Sequence, residues 1–233
     1  MTIRSVVCAV SGGVDSAVSA YLLKRRGFQV KGVFMTNWDD QDQGIRCSSN
    51  DDRNDAEKIC AKLDIPFYEL NFVKEYWIYI FQPILRSYEL GFTPNPDIMC
   101  NRFLKFNFFT RAVLRNNDFP TNSVFTNRNT KLIADAVATG HYCQNSFGNF
   151  LENSSSSEPY LLRGFDSVKD QTFWLSTVPS SQLRHFMFPV GGMRKSEVKK
   201  LAADIGLKST AERRESMGMC FIGKRRFSKF IDN

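Results

Sequence analysis

The chain has 233 residues, 42% of them apolar, enough to bury the core of one large domain or two small ones. Its formal charge of +7 points toward an anionic partner without identifying one. No run of about 18 apolar residues occurs, so no transmembrane helix and no membrane partner are expected.

In chain order, "IRSVVCAVS" is an apolar run of strand length that stops at Gly12-Gly13. "DSAVSAYLLKRRG" follows with helical periodicity, and Gly27 stands where a C-terminal cap belongs. "FQVKGVFM" reads as a second strand, "DDRNDAEKICAKLD" as a helix and "IPFYELNF" as a third strand. "VKEYWIYIFQPILRSYELG" is helical, with a kink expected at Pro83. "TPNPDIMCN" reads as a Pro-rich loop feeding the helix "RFLKFNFFTRAVLRN", and "LIADAVATGHY" supplies another strand. This alternation predicts an α/β fold with a doubly wound, mainly parallel sheet. Two Asn/Ser-rich stretches, 116–130 and 145–159, read as surface insertions. After Asp166 the pattern turns mostly helical, in "KDQTFWLSTV", "SSQLRHFMF" and "RKSEVKKLAADIG".

Six cysteines occur without a CxxC pair and with only two histidines, which argues against a zinc cluster; no metal ligands are assigned. With no secretory signal before Ile3, the thiols are expected to be reduced, and most of them to be core residues.

Three motifs carry chemistry. "SGGVDS" sits between a strand and a helix, where unpaired N–H groups and the helix dipole favour an anion. It has neither the GK[ST] of a Walker loop nor GxGxxG. "TPNPDIMCN" puts Asp97 three residues before Cys100, with Arg102 and Lys105 close behind to favour a thiolate. "RRESMGMCFIGKRRF" places Cys220 between Gly218 and Gly223 among Arg213, Arg214, Lys224, Arg225 and Arg226. Each also has a plain reading: a turn with incidental glycines, a buried cysteine under a proline turn, a cysteine beside a solvated basic face.

"SGGVDS" resembles the pyrophosphate loop of the ATP pyrophosphatases (adenine nucleotide α-hydrolase-like), which include GMP synthetases, argininosuccinate synthetases and tRNA thiolases. "SGGVDS", "TPNPDIMCN", "ATGHY", "KDQTFWL" and "ESMGMCFIG", in this order, resemble the tRNA 2-thiouridylases. "VKEYW" and "ESMGMCFIGKR" are most similar to the mitochondrial enzymes of animals. The resemblance implies ATP-dependent 2-thiolation of the wobble uridine through an adenylate and a cysteine persulfide, with Mg²⁺ accompanying ATP. It implies ATP binding at Ala9, Val10, Ser11, Gly12, Gly13, Val14, Asp15 and Ser16, with Met35 and Gly140 lining the nucleotide. Asn95, Pro96 and Asp97 match positions contacting the target base, Asp97 being also an acid/base candidate. Cys100 matches the nucleophile and Cys220 the persulfide carrier, and a Cys100–Cys220 disulfide is implied during turnover. His141, Lys169, Asp170 and Gln171 match positions that touch tRNA. The implied partners are tRNA and a persulfide donor protein, the expected state is a monomer, and the implied address is mitochondrial, although no Arg/Ser-rich transit peptide is visible.

The expected organisation is a catalytic domain over 1–165 and a helical, tRNA-contacting segment over 166–233 that carries Cys220. Asn101-Arg102 stands where the family has Asn-Lys, and the family continues into β-rich domains beyond the equivalent of Asn233. A truncated, catalytically idle isoform that binds only ATP or tRNA is therefore the alternative. An ATP pyrophosphatase that aminates a metabolite would need neither Cys100 nor Cys220.

Overall fold

Alternating side chains on short apolar strands divide the core into two layers. In the computed structural model, which describes residues 3–38, 48–114, 132–153 and 157–213, Val6 and Cys8 of β1 (Ser5–Ala9) face one layer and Val7 the other. The stretch carrying Cys220, the Asn116–Thr130 insertion and Cys47 lie outside the described residues.

From β1 the chain runs through α1 (Val14–Arg25), β2 (Gln29–Thr36), α2 (Ser48–Lys62) and β3 (Phe67–Asn71). Gly27 closes α1 as expected. Its φ is +87°, Phe28 N–H donates to Leu23 O, and Gly27 N–H donates to Lys24 O. Then come α3 (Val73–Tyr76), a π-helical stretch (Trp77–Phe81) and α4 (Gln82–Glu89). The disturbance expected at Pro83 takes the form of that wide turn. Proline offers no N–H and its ring crowds the carbonyl four residues back, which the π register relieves. After α5 (Pro96–Met99), a second π-helical stretch (Cys100–Phe108) and α6 (Phe109–Val113), the chain enters β4 (Ala136–Ala138), β5 (Cys143–Asn145) and β6 (Leu161–Arg163). It ends, among the described residues, with α7 (Ser180–Leu183), β7 (Phe186–Met187), α8 (Lys195–Asp204) and α9 (Lys208–Glu212).

The main sheet is parallel throughout, in the order β3-β2-β1-β4-β7. Residues of α1, α2, α8 and α9 pack on the Val6/Cys8 face. The helical segments between 73 and 113 cover the Val7 face, with Phe72, Tyr76, Phe106 and Phe109 fully buried. This is the doubly wound architecture expected. The chain leaves β1 toward β2 on one side and reaches β4 on the other, so a crevice opens at the carboxyl ends of β1 and β4.

Three sequence expectations need correction. "TPNPDIMCN" is not all loop: the helix begins at Pro96, because Asn95 Oδ1 accepts from the N–H groups of Asp97 and Ile98 at 3.0 and 3.1 Å and proline is at home in a first turn. After Asp166 the regular structure is mostly helical, as expected, with two local departures. "KDQTFWL" forms only a 3₁₀ turn (Thr172–Leu175), and Phe186-Met187 is a strand of the main sheet, its backbone claimed by β4. The sheet therefore draws on both sides of the boundary expected at 165. Finally, 145–159 is not simply a surface insertion. It connects the antiparallel pair β5 and β6, beginning at the last residue of β5, and Asn145, Phe147 and Leu151 are buried.

Candidate active site

The crevice at the switch point is lined by the loop that links β1 to α1. Val10 N–H donates to Val33 O, and the Val10 and Val14 side chains are core, so these residues offer backbone alone. Gly13 is the N-cap of α1 and no side chain caps that end, an arrangement whose first-turn N–H groups can hold an anion. The serines brace the loop. Ser16 Oγ donates to Gly13 O at 3.0 Å and lies 3.2 Å from Ser11 Oγ, while Ser11 N–H donates to Ser16 Oγ at 3.1 Å. Gly12 carries the bend at φ +79°. Gly140, just past β4, presses on the same loop, for a Cβ there would stand 2.7 Å from Ser16 N. Met35 is a half-buried residue of β2 packed on the second core layer.

Asp15 does not present a bare carboxylate to this seat. Lys195 Nζ donates to both of its oxygens at 2.7 Å, and Tyr142 Oη donates to Oδ1 at 2.7 Å. Lys195, with 10% of its side chain exposed, thus brings an ammonium to the loop, stacked 5.6 Å from the Tyr142 ring centre. Asp166 fixes the start of α8 by accepting from Lys195 N–H at 2.9 Å, and that bond together with those from Val168 and Lys169 holds its carboxyl below the usual range. Sequence reasoning missed Lys195, Tyr142 and Asp166. One signal was available: "RKSE" opens a helix with two cations, against the preference of the helix dipole.

Lys195→Met is expected to weaken ATP binding at least tenfold and to destabilise the fold by about 1–3 kcal/mol, less than a fully buried broken pair because Asp15 keeps 30% exposure. The double variant Asp15→Asn/Lys195→Met should regain stability but not affinity. Calorimetry with ATP beside urea denaturation checks both; full affinity in Lys195→Met would mean the ammonium serves the fold only.

Cys100 sits five residues into the helix that starts at Pro96 and is buried, so the dipole support expected for its thiolate has largely faded there. It opens the second π-helical stretch, and such stretches recur at functional sites. Asp97, one turn earlier, is exposed. The neighbouring Asn101 is buried and donates from Nδ2 to Trp174 O at 3.1 Å, tying the Cys100 segment to "KDQTFWL". Gln171 binds Tyr142 twice: its Oε1 accepts from Tyr142 N–H at 3.0 Å, and its N–H donates to Tyr142 O at 2.8 Å. Asp170 accepts from Gly164 N–H, Arg163 Nε and Thr172. Asn95, Asp170 and Gln171 thus all hold backbone in this structure. Lys169 stays half-exposed on the turn. Four motifs, "SGGVDS", "TPNPDIMCN", "ATGHY" and "KDQTFWL", converge in this way; "ESMGMCFIG" lies outside the described residues.

The other described cysteines are poor nucleophiles. Burial pushes the Cys8 and Cys143 thiols well up and Cys60 up to about 12. Arg213 is engaged with Asp52 and Asp55 of α2, its Nη1 2.9 Å from Asp55 Oδ2, so it anchors the chain entering the Cys220 stretch.

His141 lies 2.9 Å from Thr139 Oγ1 and 5.7 Å from the Phe106 ring. Burial, with the Lys105 charge, holds its imidazole down to about 3, so it meets any partner as a neutral ring. The unfolded chain takes up this proton near pH 6.5, the folded one only near 3. Stability should therefore fall as pH drops through this window, by up to about 1.4 kcal/mol per unit. Urea titrations at pH 7, 6 and 5 should show a shallower slope for His141→Asn; equal slopes would place the ring in water.

A family model described as the tRNA methyl transferase HUP domain matches residues 4–224. The chain belongs to this family. Mitochondrial tRNA-specific 2-thiouridylase 1 of Drosophila melanogaster is 47% identical over 230 residues, covering 98% of the chain and 55% of that protein. Its Homo sapiens counterpart is 45% identical over 245 residues, again with 98% and 55% coverage. The chain thus spans about half the length of the curated relatives it matches. Among solved structures, a 4-thiouridine synthetase in complex with RNA and bound ATP superposes with a TM-score of 0.51 at 16% identity, over 95% of the chain and 46% of that protein. At that identity the likeness speaks for the HUP fold alone.

Proposed function

We propose that this chain carries the catalytic half of a mitochondrial, ATP-dependent tRNA 2-thiouridylase, acting as a monomer on the wobble uridine. The observation that carries the reading is the anion seat: an uncapped α1 N-terminus with Ser11-Gly12-Gly13 and the Lys195 ammonium at the β1/β4 switch point. Such a seat suits the pyrophosphate of ATP, with Mg²⁺ entering as its counter-ion. The relatives named as 2-thiouridylases support the choice of substrate. The family description speaks of methyl transfer, but moving a methyl group calls for no pyrophosphate seat, whereas replacing a carbonyl oxygen does.

Uridine O2 is a poor leaving group. Its attack on the α-phosphate of ATP expels pyrophosphate and leaves an O2-adenylate. Ala9 to Ser16 and Gly140 hold the nucleotide, while Asn95, Pro96, Asp97, His141, Lys169, Asp170 and Gln171 present the RNA. Sulfur arrives as a persulfide on Cys220 from a donor protein. The Cys100 thiolate attacks the inner sulfur, forming a Cys100–Cys220 disulfide and releasing hydrosulfide. Hydrosulfide attacks C2 and expels AMP. A dithiol reductant then restores both thiols.

Mass spectrometry of tRNA incubated with the chain, ATP, a persulfide donor and dithiol should find 2-thiouridine at the wobble position. Nucleotide binding without sulfur incorporation would instead support the idle, ligand-binding reading.

A further inference from the structure

The turn at 166–171 is fastened to the anion seat along two separate routes that end on one carboxylate. On the first, Asp166 Oδ2 accepts from Lys195 N–H at 2.9 Å, and Lys195 Nζ grips both Asp15 oxygens at 2.7 Å. On the second, Gln171 holds the Tyr142 main chain through both its N–H and its C=O, and Tyr142 Oη donates to Asp15 Oδ1 at 2.7 Å. Tyr142 is 2% exposed, so its ring touches no ligand in solution. Gly164 keeps the fit tight: a Cβ there would stand 2.6 Å from Tyr142 O.

The outer side of the same turn is open. Phe165, Val168 and Phe173 are 58%, 87% and 65% exposed, Arg163 is paired with Asp170 of the turn, and the Arg194 guanidinium lies 5.7 Å from the Phe165 ring centre. Aromatic faces with cations between them accept unpaired bases and phosphates.

We propose that Tyr142 is a positioning residue that couples RNA seated on the 166–171 turn to nucleotide seated on the β1–α1 loop. This rests on the tRNA thiolase reading above. An anion on the loop draws the Lys195 ammonium away from Asp15. The Tyr142 hydroxyl, on the same Asp15 oxygen, then supplies the hydrogen bond that keeps the carboxylate satisfied and the first turn of α1 in place. RNA on the turn fixes Gln171, hence the Tyr142 main chain, hence that hydroxyl. Each ligand thereby favours the arrangement the other needs, and the coupling is reciprocal.

The test measures the affinity of a non-hydrolysable ATP analogue by calorimetry, with and without saturating unmodified tRNA transcript. The chain itself should bind the analogue at least about fivefold more tightly with tRNA present. Tyr142→Phe, which deletes one oxygen, should bring the factor below about twofold while both ligands still bind. Asp166→Asn, which weakens the other route and keeps the turn's shape, should lower the factor as well. It serves as the deciding variant if Tyr142→Phe does not fold. A purely structural role would lower melting temperature and leave the factor unchanged. An unchanged factor in folded Tyr142→Phe, or in Asp166→Asn where Tyr142→Phe does not fold, overturns the proposal and leaves the thiolase reading standing, as do two bound ligands with no coupling in the parent chain. Failure of the parent chain to bind either ligand overturns both.

Discussion

Gly12→Ala is expected to abolish ATP binding, whereas Gly13→Ala leaves most of it intact. The two glycines look alike in "SGGVDS", yet they do different work. Gly12 stands at φ +79°, a region costing an L side chain about 1–2 kcal/mol. A Cβ there would also lie 2.5 Å from Asp52 O, a backbone atom of α2 that cannot rotate aside. The loop must then pull away from α2, and the N–H groups of the first turn lose their aim at the anion. Gly13 has ordinary extended angles as the N-cap, and a Cβ would meet only Ser11 Oγ at 3.4 Å. Calorimetry with ATP, beside thermal melts of both variants, checks the contrast. Unaltered affinity in Gly12→Ala would show that the loop adapts and that the seat lies elsewhere.

How much of this was legible beforehand divides along physical lines. The strand and helix order from β1 to β4 follows from hydrophobic periodicity and from local signals such as Gly27, which the structure uses as the C′ residue of a Schellman cap. The strand-to-helix turn at "SGGVDS" was legible for the same reason, being contiguous in sequence. The helix start at Pro96 escapes a reading of "TPNPDIMCN" as a Pro-rich loop, although Asn-Pro-Asp also spells a cap followed by a first turn. Phe186-Met187 carries a helical pattern yet forms β7, because two residues hydrogen-bonded to β4 answer to the sheet rather than to their own propensity. Lys195 lies 180 residues from Asp15, and no local pattern announces a pair closed only when α8 packs beside α1. That gap matters for the proposed function: the sequence names the loop, and tertiary packing supplies the cation beside it.

Cys100→Ser and Cys220→Ser should both abolish thiolation, but at different steps. Cys220 carries the incoming sulfur in the proposed scheme, so Cys220→Ser should accept no label from a radiolabelled persulfide. Cys100 acts afterwards, so Cys100→Ser should take up the label and fail to release it as hydrosulfide. Neither variant should lose adenylation, which requires ATP and the target base but no sulfur. The structure sharpens the controls. Cys8, Cys60 and Cys143 are buried thiols whose ionisation is suppressed, so a serine at each should cost about 1–3 kcal/mol for burying a hydroxyl and leave thiolation intact. Cys100 is buried too, but it opens a π-helical stretch whose next residue, Asn101, is tied to the turn proposed to meet RNA. Cys220 follows Arg213 by seven residues, and Arg213 is fixed to α2 beside the Gly12 loop. A fully extended chain of that length reaches about 25 Å, which bounds where the persulfide can travel. Adding a rigid helical spacer between Arg213 and Cys220 should therefore slow thiolation while leaving label uptake unchanged. If Cys220→Ser keeps the label and Cys100→Ser loses it, the two roles are reversed. If both variants still thiolate tRNA, sulfur reaches the adenylate by another route and the two-cysteine scheme fails for this chain.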